Sequence, residues 1–374
     1  MFRKVKLFLV ATMLATPFVS TVHPQQSVQA ATSSQKQMNS YVRKVMSQYH
    51  LRGAILTVKN GQVVSSSLGY GWYGRRIGAG NSKVLYPAAS LQKLVTGAMI
   101  VQLINEKWHT KQRFTQNTKI SRWYPHLKGA KKITVGELLT HTSGILSYGS
   151  ETNRWSYPSE SQAIDWTINQ VNSHALGKRG VFYYTNENYV LLAGIIRKLT
   201  GKSYLSNFNT RIVNKLRLKH TYIYSSIPRS KFVAISYAYY HKHNYQKAES
   251  LAKSVPYQIP GAGNMVTTPS DYYKILLATA NGKILNSADF HYLTHLKSRV
   301  TTYSGGVYVK RGGSVMTAYG HLSNTHLTNW MQFTSDRKNG IIMFLNQTTD
   351  NKEKVKAAGY KILNHIKANT FSAE

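Results

Sequence analysis

The chain has 374 residues, 42% of them hydrophobic, and no cysteine. It is long enough for one large domain or two lobes, and it must fold without disulfides, thiolate metal ligands or a lipidated N-terminal cysteine. Its 48 Lys+Arg against 13 Asp+Glu give a formal charge of +35, a surface that draws polyanions without specifying which. At the start, Arg3, Lys4 and Lys6 precede an apolar run from Leu7 to Val22, and Val28-Gln29-Ala30 offers small residues where a signal peptidase cuts. Residues 1–30 therefore read as a secretory signal peptide, with retention as an anchor the alternative. The run is shorter than the ~20 residues a spanning helix needs, and Pro17 interrupts it. Export turns the expected partner of a cationic surface away from nucleic acid and towards the anionic polymers and lipids of a cell envelope. The expected location is extracellular, held at the cell wall by charge, with solubility the plainer use of the same excess.

After a polar linker, Met38 to His50 has helical spacing, with Met38, Val42, Val45, Met46 and Tyr49 on one side. Ala54 to Lys59 and Gln62 to Gly71 read as a β-hairpin, because Asn60-Gly61 suits the positive φ angles of a two-residue turn. From Leu91 to about Leu293 the text is mostly helical with long loops, as at Ala163 to Val171, Tyr189 to Leu199 and Pro269 to Thr279. Strands return at Gly305 to Lys310, Ala318 to Leu322, Asn329 to Thr334 and Gly340 to Asn346, and Lys352 to Ala368 closes the chain as a helix. This order predicts an α/β (α+β) fold. One antiparallel sheet is built from both termini and flanked by helices (about 38–90 and 295–370), and a mostly helical lobe (about 91–294) is inserted between them. Residues 31–374 form one unit on this reading.

Ser90 and Lys93 stand three apart at a helix start, so their side chains share a face. Unpaired N–H groups and the helix dipole stabilise developing negative charge there, and a desolvated lysine can lose its proton near neutral pH and activate a serine. Ser33/Lys36, Ser250/Lys253 and Ser335/Lys338 share the spacing, but they fall in linker, charged and turn text. Only Ser90 opens an apolar helix able to bury its lysine.

With the segment Ile133 to Ile145 (ITVGELLTHTSGI) and the chain's single Tyr-x-Asn, Tyr184-Thr185-Asn186, the sequence resembles the serine β-lactamases and penicillin-binding proteins. The likeness is to the branch of class C β-lactamases, D,D-peptidases and esterases. The resemblance implies Ser90 as nucleophile, Lys93 as its activating partner, and Tyr184 as the group exchanging protons with leaving group and water. It also implies that Asn186 orients the lysine and the substrate. A phenol beside two cations is expected to be driven towards phenolate. In the same segment His141 is expected to hold a turn rather than take part in catalysis, and Asp271, behind the Gly-rich stretch Pro260 to Met265, to cap a helix.

The family's third motif, Lys or His then Thr or Ser then Gly, has its candidate in His321-Leu322-Ser323-Asn324, which keeps the first position alone. His321 and Ser323 are then substrate-binding candidates, and the N–H groups of Ser90 and Asn324 the oxyanion donors. The expected activity is acyl transfer without metal or cofactor on D-alanyl groups of the envelope. Teichoic acid D-alanyl ester is preferred to the peptidoglycan stem peptide, because Leu322 has no hydroxyl with which to grip a substrate carboxylate. β-Lactam hydrolysis and non-catalytic polyanion binding are the alternatives.

Overall fold

The computed structural model describes residues 33–151, 158–251, 254–296 and 301–368; the leader assigned to residues 1–30 lies outside them. A nine-stranded sheet runs, mostly antiparallel, through Tyr303–Ser304, Val307–Lys310, Val315–His321, Thr328–Thr334, Gly340–Thr348, Arg52–Lys59 and Gln62–Leu68. The first and last parts of the chain thus meet in its interior, with Ile55 opposite Met343 and Leu56 opposite Ile342. Asn60 and Gly61 turn the hairpin at φ 49° and 79°, the pair of positive values that a tight two-residue turn requires.

Side chains alternate across a strand, and here both faces are covered. Ala54, Leu56, Val58, Ile342 and Phe344 face the large core. Ile55, Ile341, Met343 and Leu345 face a second core, formed with Met38, Val42 and Met46 of the helix Ser33–Gln48 and Val355, Ile362 and Ile366 of the helix Glu353–Ala368. Gly359 lets that last helix lie on Trp330, since a Cβ there would come within 2.2 Å of the indole nitrogen.

On the other face the helix Lys93–Lys107 is apolar on nearly all sides and buried from Lys93 to Ile104 apart from Gln102, as expected of a helix inside a core. Asn186–Thr200, which stops at Gly201 in the left-handed conformation, packs against it. The middle of the chain is not wholly helical. Ser236–Tyr240 and His243–Glu249 form a hairpin that joins the large sheet, Tyr237 pairing with Gln347 in parallel. A small second sheet pairs Val84–Pro87 with Met265–Thr267, Val266 opposite Pro87, which brings the turn before Ser90 against the Gly-rich stretch at 260–264.

The cap of the helix Pro269–Ala278 differs from expectation. Thr268 is the capping residue, its side chain accepting from the Asp271 N–H, and Pro269 and Asp271 both lie in the first turn. The buried Asp271 carboxylate instead accepts from the His220 N–H at 2.8 Å and pairs with Lys274 at 3.0 Å. Among the described residues no helix is long and apolar enough to cross a membrane.

Candidate active site

Ser90 lies in a short 3-10 turn, Ala89–Gln92, that runs into the helix Lys93–Lys107. Ala89 is left-handed at φ 47°, a conformation that costs an L residue ~1–2 kcal/mol. Ties on either side hold it, the Ala88 N–H to the Met265 carbonyl at 2.7 Å and the Leu91 N–H to the Ala88 carbonyl at 3.1 Å. The turn leaves Ser90 half-buried and Lys93 wholly buried.

Lys93 Nζ is 3.0 Å from Ser90 Oγ, 2.8 Å from Asn186 Oδ1 and 2.9 Å from the Ala262 carbonyl. Burial pulls its pKa down to about 7, against the opposing pull of Glu151 and Glu187. A neutral amine has two N–H donors and one lone pair. With the donors on Asn186 and Ala262, the lone pair is left for the Ser90 O–H.

Tyr184 also reaches Ser90, and its ring centroid is 4.9 Å from Lys93 Nζ. The expectation of a phenolate is corrected here. Burial of the hydroxyl holds its pKa well above the ordinary phenol value, with Tyr308, Tyr189 and Glu151 adding to the rise, and the Ser90 hydrogen bond only opposes it. Near neutral pH Tyr184 is therefore a proton donor. His141 is buried, left-handed at φ 56°, and packs its ring 4.3 Å from that of Tyr184. Its Nδ1 lies 3.0 Å from Asn188 Nδ2, and its carbonyl accepts from the Tyr183 N–H at 2.8 Å. Burial keeps the imidazole neutral, and its contacts position the Tyr184 backbone.

The strand Val315–His321 runs beside the nucleophile turn, where a Cβ on Gly320 would lie 2.9 Å from the Ala88 carbonyl. His321 ends that strand, and its Nε2 is 2.5 Å from Lys352 Nζ. Burial first, then Lys352, lowers its pKa to about 4, so a neutral imidazole accepts from the lysine. Leu322 turns into the core, whereas Ser323 and Asn324 are exposed on the turn beyond the strand, Asn324 at φ 59°. The structure links Ser90, Lys93, Tyr184 and Asn186 directly, and links Ser323 to Asn186 through one intermediary. No hydrogen bond among the described residues joins His321 or Asn324 to that group.

The intermediary is Glu151, which sequence reasoning passed over. Its Oε1 accepts from Asn186 Nδ2 at 2.5 Å, and its Oε2 accepts from the Ser323 N–H at 3.0 Å and the Ser323 hydroxyl at 2.8 Å. Lys352 was also missed. Neither carries a local signal, one being an acid on an irregular loop and the other a single cation among 48 Lys+Arg. No cluster of His, Asp or Glu among the described residues is arranged to hold a metal ion.

The family model described as Beta-lactamase matches residues 38–364. The chain belongs to this family. As a Beta-lactamase family member it is a serine hydrolase, and its mixed α/β architecture recurs in solved relatives. The crystal structure of FmtA from Staphylococcus aureus superposes with a TM-score of 0.71 at 23% identity, covering 88% of this chain and 87% of that one. D-amino acid amidase from Ochrobactrum anthropi SV3 gives 0.75 at 18% identity, covering 91% of this chain and 100% of the other. In sequence the chain is similar to the teichoic acid D-alanine hydrolase of Staphylococcus aureus, 29% identical over 286 residues. That match takes in 74% of this chain and 66% of the relative.

Proposed function

We propose that this family member hydrolyses D-alanyl esters of teichoic acid through an acyl-enzyme on Ser90. The observation that carries the chemistry is the hydrogen-bonded pair of Ser90 and a wholly buried Lys93 whose pKa lies at about 7, a base poised at the working pH. Lys93 takes the Ser90 proton as Oγ attacks the ester carbonyl. The N–H groups of Ser90 and Asn324 are assigned to the oxyanion. Tyr184 protonates the departing polyol oxygen and is restored by the proton held on Lys93. Water then adds to the acyl carbonyl by the same steps in reverse and releases D-alanine.

Substrate choice rests on the third motif and on kinship. Leu322 is 1% exposed and has no hydroxyl, so a substrate carboxylate loses a partner there, at on the order of 1–3 kcal/mol for a missing bond to a buried charge. A D-alanyl ester carries no carboxylate and avoids the loss. The name of the Staphylococcus aureus hydrolase supports the same substrate. The leader at residues 1–30 and the +35 charge support export and a loose electrostatic hold on the wall.

The test offers D-alanylated lipoteichoic acid, a stem pentapeptide ending in D-alanyl-D-alanine, and a penicillin in parallel to the mature protein and to Ser90→Ala. Released D-alanine is expected from the first substrate and from the unmutated protein alone. Release from the peptide alone, or turnover of the penicillin alone, overturns the substrate assignment, and unchanged release by Ser90→Ala overturns the mechanism.

A further inference from the structure

Glu151 is one of six described carboxylates that form no ion pair, in a chain with 48 Lys+Arg for 13 Asp+Glu. Its partners are three neutral donors: the Asn186 amide, and the N–H and hydroxyl of Ser323. A carboxylate has about four acceptor sites, so one direction remains for a further donor. The charge reaches across the whole cleft, since Glu151 raises the proton affinity of Lys93, Tyr184, His321 and Lys352 alike.

Its position is as telling as its charge. Asn186 donates to Glu151 through its Nδ2 and accepts from Lys93 through its Oδ1, and Lys93 is 3.0 Å from Ser90 Oγ. The carboxylate is therefore two side chains from the nucleophile. It bridges the helix Asn186–Thr200 to Ser323, just past the end of the strand Val315–His321.

We propose that Glu151 receives the free α-ammonium of an aminoacyl substrate and so makes the site selective for unblocked aminoacyl esters. The inference rests on the aminoacyl esterase reading above and specifies which feature of the acyl group is recognised. In an α-aminoacyl ester the nitrogen is about 2.5 Å from the carbonyl carbon, as fixed by the N–Cα and Cα–C bonds and the angle between them. A carbonyl at Ser90 therefore carries its ammonium alongside Asn186 towards Glu151. An ammonium both fills the open acceptor direction and neutralises the charge, and charge-assisted hydrogen bonds of this kind are about twice as strong as neutral ones. An N-acylated residue, as in a peptide or a penicillin, offers no cation there, and a substrate carboxylate near Ser323 meets like charge.

The alternative is that Glu151 only tunes Lys93, which would change turnover of every ester by the same factor. Binding to Ser90→Ala protein, which leaves esters intact, separates the two. D-alanine methyl ester and N-acetyl-D-alanine methyl ester are titrated by NMR into Ser90→Ala and into the same protein carrying Glu151→Gln or Glu151→Asp, with thermal melts to confirm folding. The expected result is at least fivefold tighter binding of the free-amine ester to Ser90→Ala, loss of that preference with Glu151→Gln, and partial recovery with Glu151→Asp. Equal affinities in Ser90→Ala, binding of neither ester, or a preference that survives Glu151→Gln overturns the proposal. Hydrolysis of lipoteichoic acid esters by the unmutated protein is scored separately. A binding preference without hydrolysis sinks the functional reading alone, and hydrolysis without a preference sinks the role of Glu151 alone.

Discussion

Replacing Lys93 with methionine should make the protein inactive and more stable at once. The lysine is wholly buried and its pKa falls from 10.5 to about 7. Each tenfold change in proton affinity is worth about 1.4 kcal/mol, so carrying this side chain in the fold at pH 7 costs on the order of 4–5 kcal/mol. Methionine has a similar shape and no charge, but it leaves the acceptors Asn186 Oδ1 and Ala262 O without their donor. Each such loss costs ~1–3 kcal/mol, nearer the low end at half-buried Asn186. The expected balance for Lys93→Met is a gain of about 1–2 kcal/mol at pH 7, a site giving up function for stability.

The sign of the pH dependence follows from the direction of the shift. Between pH 7 and 10.5 the unfolded chain holds a proton on this amine that the folded protein has released, so the lysine's penalty is full below 7 and fades as pH rises through that window. Urea unfolding of both proteins at pH 6, 8 and 10 reads the difference directly. It should be largest at pH 6 and near zero or reversed at pH 10. A variant less stable by about 2 kcal/mol at pH 6, or a difference flat with pH, would refute the idea that desolvation holds Lys93 near neutrality.

The same group governs the rate. Plotted against pH, kcat/KM for a neutral ester should rise about tenfold per unit below a limb near 7 and level above it; a limb above 9 would remove Lys93 as the base. Binding of the mature protein to teichoic-acid-bearing walls should weaken steeply with added salt, because exposed charges are screened over ~8 Å at physiological ionic strength, and a salt-insensitive pull-down would assign the +32 charge that remains without Arg3, Lys4 and Lys6 to another purpose.

What the sequence disclosed were features with short-range grammar. Ser90 and Lys93 are one helical turn apart, Asn60-Gly61 is a turn by its own backbone preferences, and Tyr184-Thr185-Asn186 is a contiguous motif. Glu151 has no such grammar. It enters the cleft because two distant elements, the helix at Asn186 and the turn at Ser323, come together around it. The cap at Thr268 was legible after all, since Pro269 favours the first helical position and so points to the residue before it. The phenolate expectation for Tyr184 failed for a different reason: a lysine partner is visible in sequence, but the burial that holds the proton on the phenol is not. The strand Ser236–Tyr240 was hidden in text read as helical, because its partner, the end of Gly340–Thr348, is far away in the chain.

The pairing of Arg52–Lys59 with Gly340–Thr348 also sets an order of events during synthesis. The early hairpin has one strand edge with no neighbour until the residues of the late strand emerge, and unpaired edges invite association with other chains. Contacts this remote in sequence form slowly. Any species shortened before residue 340 would lack this interior strand and the helix Glu353–Ala368, leaving Ile55 without Ile341, Met343 and Ile362 in the smaller core. Such truncated chains would be prone to aggregate rather than to persist as a smaller working protein.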